Sequence, residues 1–172
     1  MKKAIFLSCL AMALCFSAVA RDFTPFRVDA GLGYAVPFND GFSGGMLFYV
    51  EPKFEVIPQV SVGLRWEGSL FGGGDAEGGS IRISSGYMLT GDYHINNNAF
   101  RPFVGMGLGT FVMGEIGTDA GAYAGTNFAT MLRAGFDVSH FRLTASYNMA
   151  FASEMFHYFA ITAGFYIGGG RR

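Results

Sequence analysis

The 172-residue sequence predicts an all-β protein, an eight-stranded antiparallel up-and-down transmembrane β-barrel. Three observations predict it. Apolar residues alternate with polar or small residues in eight segments, which is the period-two pattern of β-strands. Short connections alternate with long, glycine-rich ones, as in membrane barrels. Every charged residue of the eight segments lies on the polar face of its strand.

The eight segments are justified in order by the parity of their apolar positions. These are the even-numbered positions in the first, second, third, fifth and sixth segments, and the odd-numbered ones in the fourth, seventh and eighth. The eighth has the weakest phase, because aromatic residues occupy both of its faces. The predicted strands are Phe26–Val36, Phe48–Val56, Val60–Gly68, Ile81–His94, Phe100–Val112, Phe128–Val138, Phe141–Phe151 and His157–Ile167.

The N-terminus has the pattern of a secretory signal. Lys2 and Lys3 precede the apolar run Ala4–Ala20, which ends in a small-x-small cleavage site. We therefore predict that residues 1–20 are a cleaved signal peptide and residues 21–172 an outer-membrane barrel domain. An N-terminal anchor helix is the alternative. Both cysteines lie within residues 1–20, so the part predicted to be exported contains no cysteine and can have no disulfide or thiol chemistry.

The composition excludes several classes of protein. With 51% hydrophobic and 16% aromatic residues, the chain is too apolar for a disordered tail. A net charge of −1 gives no support for nucleic-acid binding. The 26 glycines follow no three-residue period, which excludes a collagen. The mean hydropathy of +0.31 is high for a soluble protein.

The connections predict which end of the barrel faces outward. The short ones are 57–59, 95–99 and 139–140, and the long ones are 37–45, 69–80 and 113–127. The long loops are the predicted contact sites for an extracellular ligand. The long-loop end of the barrel holds acids but no lysine or arginine. This bias indicates either that the loops are simply solvated or that their acids bind divalent cations that bridge to lipopolysaccharide. These acids are Asp40, Asp75, Glu77, Glu115, Asp119 and Glu154.

The strand charges distinguish an inverted barrel from a soluble one. In a soluble sandwich or a lipocalin-like barrel they would face water, whereas in a membrane barrel they fill the lumen. Seven positive and six negative charges nearly cancel, as buried charges require, and six of the seven cations are arginine. The other residues of these faces are mostly Gly, Ala, Ser and Thr, which fit a narrow lumen. The predicted lumen charge network is Arg27, Asp29, Glu51, Lys53, Glu55, Arg65, Glu67, Arg82, Asp92, Arg101, Arg133, Asp137 and Arg142.

Two ion pairs follow from hairpin arithmetic. A turn centred on Pro58 places Glu51 opposite Arg65, because residues that face each other then sum to 116. A turn centred on Ser139-His140 places Asp137 opposite Arg142.

Aromatic residues of the apolar faces form two groups, one near each end of the strands, as interfacial girdles do. The group at the short-connection end is Phe26, Phe54, Tyr93, Phe100, Phe136, Phe141 and Phe165. The group toward the long-loop end is Tyr34, Phe48, Trp66, Phe128, Tyr147 and Phe159.

The chain resembles the small eight-stranded outer-membrane barrels of the OmpX and OmpA-barrel type. The segments VEPKFEVIPQVSVGLRWEG (Val50–Gly68), FRPFVGMGLG (Phe100–Gly109) and FAITAGFYIG (Phe159–Gly168) carry the resemblance. It implies the outer membrane of a Gram-negative bacterium, with lipopolysaccharide and the barrel-assembly machinery as partners. Such chains commonly end in an aromatic residue, whereas this one ends in Gly168–Gly170 and two arginines.

Catalytic and cofactor motifs are not found. None of the three histidines has a serine two residues later, the pair used by lipid A deacylases, and no Cys/His metal spacing occurs. His94 is interpreted as a polar cap of the short-connection end, and His157 beside Ser153 and Glu154 is the best remaining catalytic constellation. We therefore predict no enzyme, no cofactor and no metal. The predicted function is a structural, envelope-integrity or surface-interaction role with a side-chain-filled lumen, with a narrow pore for small solutes or a lipid-modifying barrel enzyme as alternatives.

Overall fold

The described residues of the computed structural model, 24–38, 42–75, 78–116, 124–151 and 156–169, form eight antiparallel strands. The predicted signal peptide lies outside these ranges. The strands are β1 (Phe26–Pro37), β2 (Phe42–Ile57), β3 (Val60–Asp75), β4 (Gly78–His94), β5 (Phe100–Ile116), β6 (Ala124–Val138), β7 (Phe141–Phe151) and β8 (Phe156–Gly168).

Each strand pairs with its neighbours in the sequence, and β1 pairs with β8, so the sheet is a closed barrel without an edge. Closure satisfies the backbone hydrogen-bonding groups that an edge strand would leave unpaired. The predicted fold class is confirmed. Within the described ranges, no helix is long and apolar enough to cross a membrane.

The strands are longer than predicted at the long-loop end. The β7 bounds agree with the prediction, but β2 begins at Phe42, β3 continues to Asp75 and β5 continues to Ile116. Much of the predicted loops 37–45, 69–80 and 113–127 is therefore strand, which corrects their assignment. The extensions are rich in glycine, whose missing side chain hides the period-two pattern while its backbone still pairs.

The hydrogen-bond register fixes the geometry of the barrel. Following paired residues once around the barrel leads from Phe141 to Phe151 on the same strand, a shear of ten residues. With strands about 4.8 Å apart and a rise of about 3.3 Å per residue, this shear gives a tilt of about 40° and a radius of about 8 Å. The path runs through Phe141, Phe165, Ala30, Val50, Trp66, Tyr87, Thr110, Phe128 and Phe151.

This path also gives heights along the barrel axis. Each of its eight steps rises by about 3 Å, so Phe141 and Phe151 differ in height by about 25 Å, the height of a lipid-facing band. Trp66 is four steps from each of them and therefore lies at mid-height. This corrects the assignment of Trp66 to the aromatic group toward the long-loop end. Phe128 of that group, and Phe151, do lie near the upper limit of the band.

The wall of the barrel is uneven in height. The strands β3, β4 and β5 contain 16, 17 and 17 residues, whereas β7 and β8 contain 11 and 13. The wall formed by β3, β4 and β5 thus stands roughly 10 Å above the wall formed by β7, β8 and β1.

Burial alternates along the strands, with apolar side chains outside. In β8 the phase is the predicted one, since Tyr158 and Tyr166 are buried while Ile161 and Phe165 are 53% and 67% exposed. The exterior carries large exposed apolar side chains on every strand. A water-soluble barrel would bury such residues, so the arrangement is that of an inverted barrel.

Small residues are required where β1 meets β8. Gly31 and Gly164 are paired across these strands, and the ring of Tyr49 lies over both from the lumen side. A Cβ atom on Gly164 would lie 2.5 Å from the carbonyl oxygen of Ala30 and 2.6 Å from the hydroxyl of Tyr49. The chain can therefore close over Tyr49 only with glycine at this position.

Candidate functional site in the barrel interior

The lumen contains two layers of side chains, which we call the ionic layer and the aromatic layer. The ionic layer lies in the half near the short connections and contains the buried charges. The aromatic layer lies in the half near the long loops and contains buried Phe, Tyr, Leu, Met and Ala side chains.

Two carboxylates, Glu51 on β2 and Asp92 on β4, form the centre of the ionic layer. Arg133 on β6 contacts both, with Nη2 2.7 Å from Glu51 Oε1 and Nε 2.7 Å from Asp92 Oδ1. Lys53 Nζ and Arg142 Nη2 each lie 2.7 Å from Asp92 Oδ2. These contacts connect β2, β4, β6 and β7 across the lumen, in addition to the backbone ladder.

A second group lies nearer the short connections. Arg27 on β1 places Nη1 3.0 Å from Asp137 Oδ2 on β6 and Nε 3.0 Å from Asp29 Oδ1. Asp29 also lies 3.0 Å from Lys53 Nζ, so the two groups share a cation. His94 is completely buried, and its Nε2 lies 3.1 Å from the same Asp137 oxygen. Its interpretation as a polar cap is therefore corrected, because it is an interior member of this group.

Arg65 joins the ionic layer to the aromatic layer. Its Nη2 lies 2.7 Å from Glu67 Oε2, and its Nη1 lies 3.3 Å from Glu51 Oε2. Its guanidinium carbon lies 3.8 Å from the centre of the Tyr49 ring, and the Tyr158 hydroxyl donates a hydrogen bond to Glu67. A cation–π contact of this kind stabilises the flat face of the guanidinium, which makes no hydrogen bonds.

Two further guanidinium groups stack on aromatic rings in the lumen. Arg142 lies 3.7 Å from the centre of the Phe103 ring, and Arg27 lies 4.5 Å from that of Tyr166. The stacking brings β5 and β8 into the layer, so that all eight strands contribute to it.

The structure places the predicted charges as follows. Arg101 lies at the mouth, where its side chain is 14% exposed and Nη2 donates to the Pro58 carbonyl at 2.8 Å. The side chain of Arg82 lies outside the described residues. The others are buried in the lumen: Arg27, Asp29, Glu51, Lys53, Glu55, Arg65, Glu67, Asp92, Arg133, Asp137 and Arg142.

The described charges balance. With Arg101 included, six cations face six anions in the interior. Because desolvating an unpaired charge costs several kcal/mol, equal numbers in mutual contact make burial tolerable.

The predicted hairpin registers are observed. In β2 and β3 the pairs Tyr49–Glu67 and Lys53–Gly63 sum to 116, and Asp137 pairs with Arg142 between β6 and β7. Arg142 Nη1 lies 3.4 Å from Asp137 Oδ1.

Sequence reasoning missed the aromatic layer. It expected the remaining inner positions to be mostly small, but Phe71, Phe111 and Phe156 are buried there beside Tyr158. The ring centres of Phe71 lie 5.6 Å from Phe156 and 5.5 Å from Tyr158, in edge-on geometry. Phe71 and Phe156 lie outside the predicted strand bounds, so the sequence pattern did not assign them to a face. Continuing the alternation of β3 through its glycines and of β8 by one residue would have placed both on the inner face.

The described side chains form no metal-binding cluster, and the predicted catalytic constellation around His157 is only partly described. No group of three or more potential ligands could hold a metal ion in these ranges. His157 lies on the outer face of β8 with its ring 6.2 Å from Tyr147 and 5.7 Å from Phe38. Ser153 and Glu154, its sequence neighbours in the predicted constellation, lie outside the described residues.

We expect Arg65→Ala to lower the melting temperature far more than Asp75→Ala. The first change removes a cation that contacts Glu51 and Glu67 in the lumen, and breaking a buried pair costs about 3 kcal/mol or more. Asp75 is at the upper end of β3, far from the ionic layer. Thermal loss of the heat-modifiable gel form in detergent measures the difference, and equal midpoints would contradict the expectation.

No protein-family model and no curated protein sequence matches this chain. Solved structures do match it in fold. Neisserial surface protein A (NspA) superposes with a TM-score of 0.62 at 14% identity, covering 83% of this chain and 96% of that one. Ail, the attachment invasion locus protein of Yersinia pestis, gives 0.60 at 13% identity, covering 84% and 99%. The outer membrane enzyme PagL gives 0.52 at 14% identity, covering 81% and 98%. The chain therefore has the fold of the small outer-membrane barrels.

Proposed function

We propose that this protein is an integral outer-membrane barrel of a Gram-negative bacterium, with a structural or surface-interaction role. It is exported by a cleaved signal peptide, residues 1–20, and inserted by the barrel-assembly machinery. The observation that carries the proposal is the inverted burial. Eleven charged side chains of the network are buried in the lumen, while outward residues such as Leu64, at 64% exposure, form an apolar surface. Only a surrounding of lipid makes that exterior favourable.

Outer-membrane fractionation with gel mobility before and after boiling tests this proposal. We expect the protein in the outer-membrane fraction and a shift in migration on heating. Recovery in the soluble periplasmic fraction would contradict it.

The filled lumen supports a closed barrel over a narrow pore. A barrel of about 8 Å radius leaves room for side chains and little else. The ionic layer crosses the lumen from β2 to β6 and β7, and the aromatic layer lies above it.

We expect the purified protein to give no sustained single-channel current in planar bilayers. A variant of the aromatic layer, Phe71→Ala, leaves the ionic layer in place and is expected to remain closed as well. Reproducible current steps from the wild-type protein would favour the pore instead.

The outer end is the proposed contact surface for an extracellular ligand. Ail has been crystallised with the heparin analogue sucrose octasulfate, but a polyanion is not the partner that we propose for this chain. The six acids at its long-loop end outnumber the arginine of that end, Arg82, which pairs in register with Glu115, and they favour cationic partners or divalent cations instead. An enzymatic role is not part of the proposal; lipid A that is identical in mass with and without the gene is the expected result.

A further inference from the structure

We infer that the backbone ladder between β2 and β3 is the part of the barrel wall that opens most readily, and that an ion pair in the lumen holds it closed. The inference goes beyond the proposed function, because it concerns the motion of the wall and not the location or role of the protein. It rests on a gap in the ladder at Pro52 and on the two side chains that lie across that gap.

The β2–β3 ladder is interrupted in the middle of both strands. Val50 pairs with Trp66 and Lys53 pairs with Gly63, but the two positions between them form no ladder pair, although all lie within the described strands. The paired residue numbers sum to 116 on both sides, so no residue is inserted and the gap is not a bulge. The same ladder has a register shift nearer each of its ends. The seven other ladders, as far as they are described, pair without interruption.

Pro52 is the cause of the gap. Proline has no backbone N–H, so it cannot donate to the residue opposite, which by the register is Leu64. The pairing of Pro52 with Val28 on β1 is intact, and so are the pairs beside it, which shows that its nitrogen faces β3. A Cβ atom on Gly63 would lie 3.0 Å from the Pro52 carbonyl oxygen, so this oxygen lies on the β3 side as well.

The gap leaves the Leu64 carbonyl without the donor that any other residue at position 52 would supply. Proline inside a sheet is normally confined to edge strands and bulges, and this position is neither. Both Pro52 and Leu64 have outward, exposed side chains, so hydrocarbon and not water surrounds this part of the wall in a membrane. Since each ladder hydrogen bond contributes to holding two strands together, the wall is weaker here than along the uninterrupted ladders.

An ion pair spans the same two strands on the lumen side of the gap. Glu51 and Arg65 occupy the other position that lacks a ladder pair, and Arg65 Nη1 lies 3.3 Å from Glu51 Oε2. Arg133 and Thr90 hold the Glu51 carboxylate from β6 and β4. A side-chain contact thus takes the place of the missing backbone pair, and the ionic layer closes the wall at its weakest point.

Hydrogen exchange of backbone amides tests the weak point directly. The N–H groups of Val62, Leu64 and Trp66 all point toward β2, but only Leu64 is opposite the proline. In the ¹⁵N-labelled protein in detergent micelles, we expect the protection factor of Leu64 to be about fivefold lower than those of the other two. Pro52→Ala supplies the missing N–H and should raise the Leu64 value to that of its neighbours. Equal protection of the three amides in the wild type would overturn the inference.

Pro102→Ala is the matched control, because it removes a proline from a strand without restoring a ladder pair. Pro102 keeps its pairing with Phe136 on β6, and on its other side it lies beyond the last pair of β4 and β5, His94 with Phe103. We expect it to leave the protection of Leu64 unchanged. If it raised that protection as much as Pro52→Ala does, the gap would not be the cause of the weakness.

Arg65→Lys tests the ion pair. Lysine keeps a cation in the lumen but has no fork to contact Glu51 and Glu67 at once. Relative to the amide of Leu132 on β6, the protection of Leu64 should fall in this variant. It should fall less when Pro52→Ala is also present, because the restored backbone bond then shares the closure. An equal fall in both backgrounds would show that the ion pair does not hold this ladder closed.

Discussion

Arg133→Met is expected to lower the free energy of unfolding by about 3 kcal/mol or more. Arg133 is the cation that contacts both central carboxylates, Glu51 and Asp92, at 2.7 Å. Methionine keeps much of the side-chain volume but leaves two buried anions with one partner fewer. Urea titration of the protein in lipid vesicles, followed by Trp66 fluorescence, measures the loss.

Arg101→Met is the matched control for this change. Its guanidinium is partly exposed at the mouth, lies 3.7 Å from Glu55 and donates to one backbone carbonyl. Because this cation is partly exposed and makes one longer ion pair, its removal should cost less than that of a fully buried one. We therefore expect the control to lose clearly less stability than Arg133→Met. If both variants lost the same stability, the contacts of Arg133 with the two central carboxylates would not be the main stabilising interaction of the ionic layer.

Gly164→Val is expected to prevent the compact, heat-modifiable form. A Cβ atom there would meet the Ala30 carbonyl and the Tyr49 hydroxyl at distances that real side chains do not show. Two of the obstructing atoms, the Ala30 carbonyl oxygen and the Gly31 Cα, belong to the β1 backbone. Repacking of side chains therefore cannot relieve the clash, and the pairing of β1 with β8 must be disrupted. Overpacking of a rigid interior costs about 1–3 kcal/mol or more.

Ala163→Val, one residue earlier, is the control for Gly164→Val. Ala163 faces outward on the same strand, so the two methyl groups that valine adds point away from the lumen. We expect the control to fold with the mobility of the wild type in gel electrophoresis without heating. A folded G164V protein with unchanged mobility would show that the barrel seam adjusts.

Much of the fold follows from the sequence because a sheet has a fixed period. The parity of apolar positions predicted all eight strands, and turn arithmetic at Pro58 predicted the β2–β3 register that brings Arg65 to Glu51. These features depend only on neighbours along the chain and across one hairpin.

Contacts between distant strands could not be predicted in the same way. The sequence shows that Arg133 faces inward, but its pairing with Glu51 joins β6 to β2 through the lumen and depends on the shear of the closed barrel. The burial of His94 depends likewise on Asp137, 43 residues later in the chain. The upper ends of the strands were missed because glycine has no side chain to show which face it occupies.

The position of the ionic layer has a consequence for how the barrel reaches its final state. A barrel that moves into the bilayer with its long-loop end first carries the six acids of that end across, and the aromatic layer, whose inner and outer faces are both apolar, follows them. The arginines and carboxylates follow last and travel the shortest distance into hydrocarbon, where an uncompensated charge costs most at mid-depth. The position of the ionic layer thus adds little to the electrostatic barrier that the acids of the long-loop end already set, although the net charge of the finished lumen does not change.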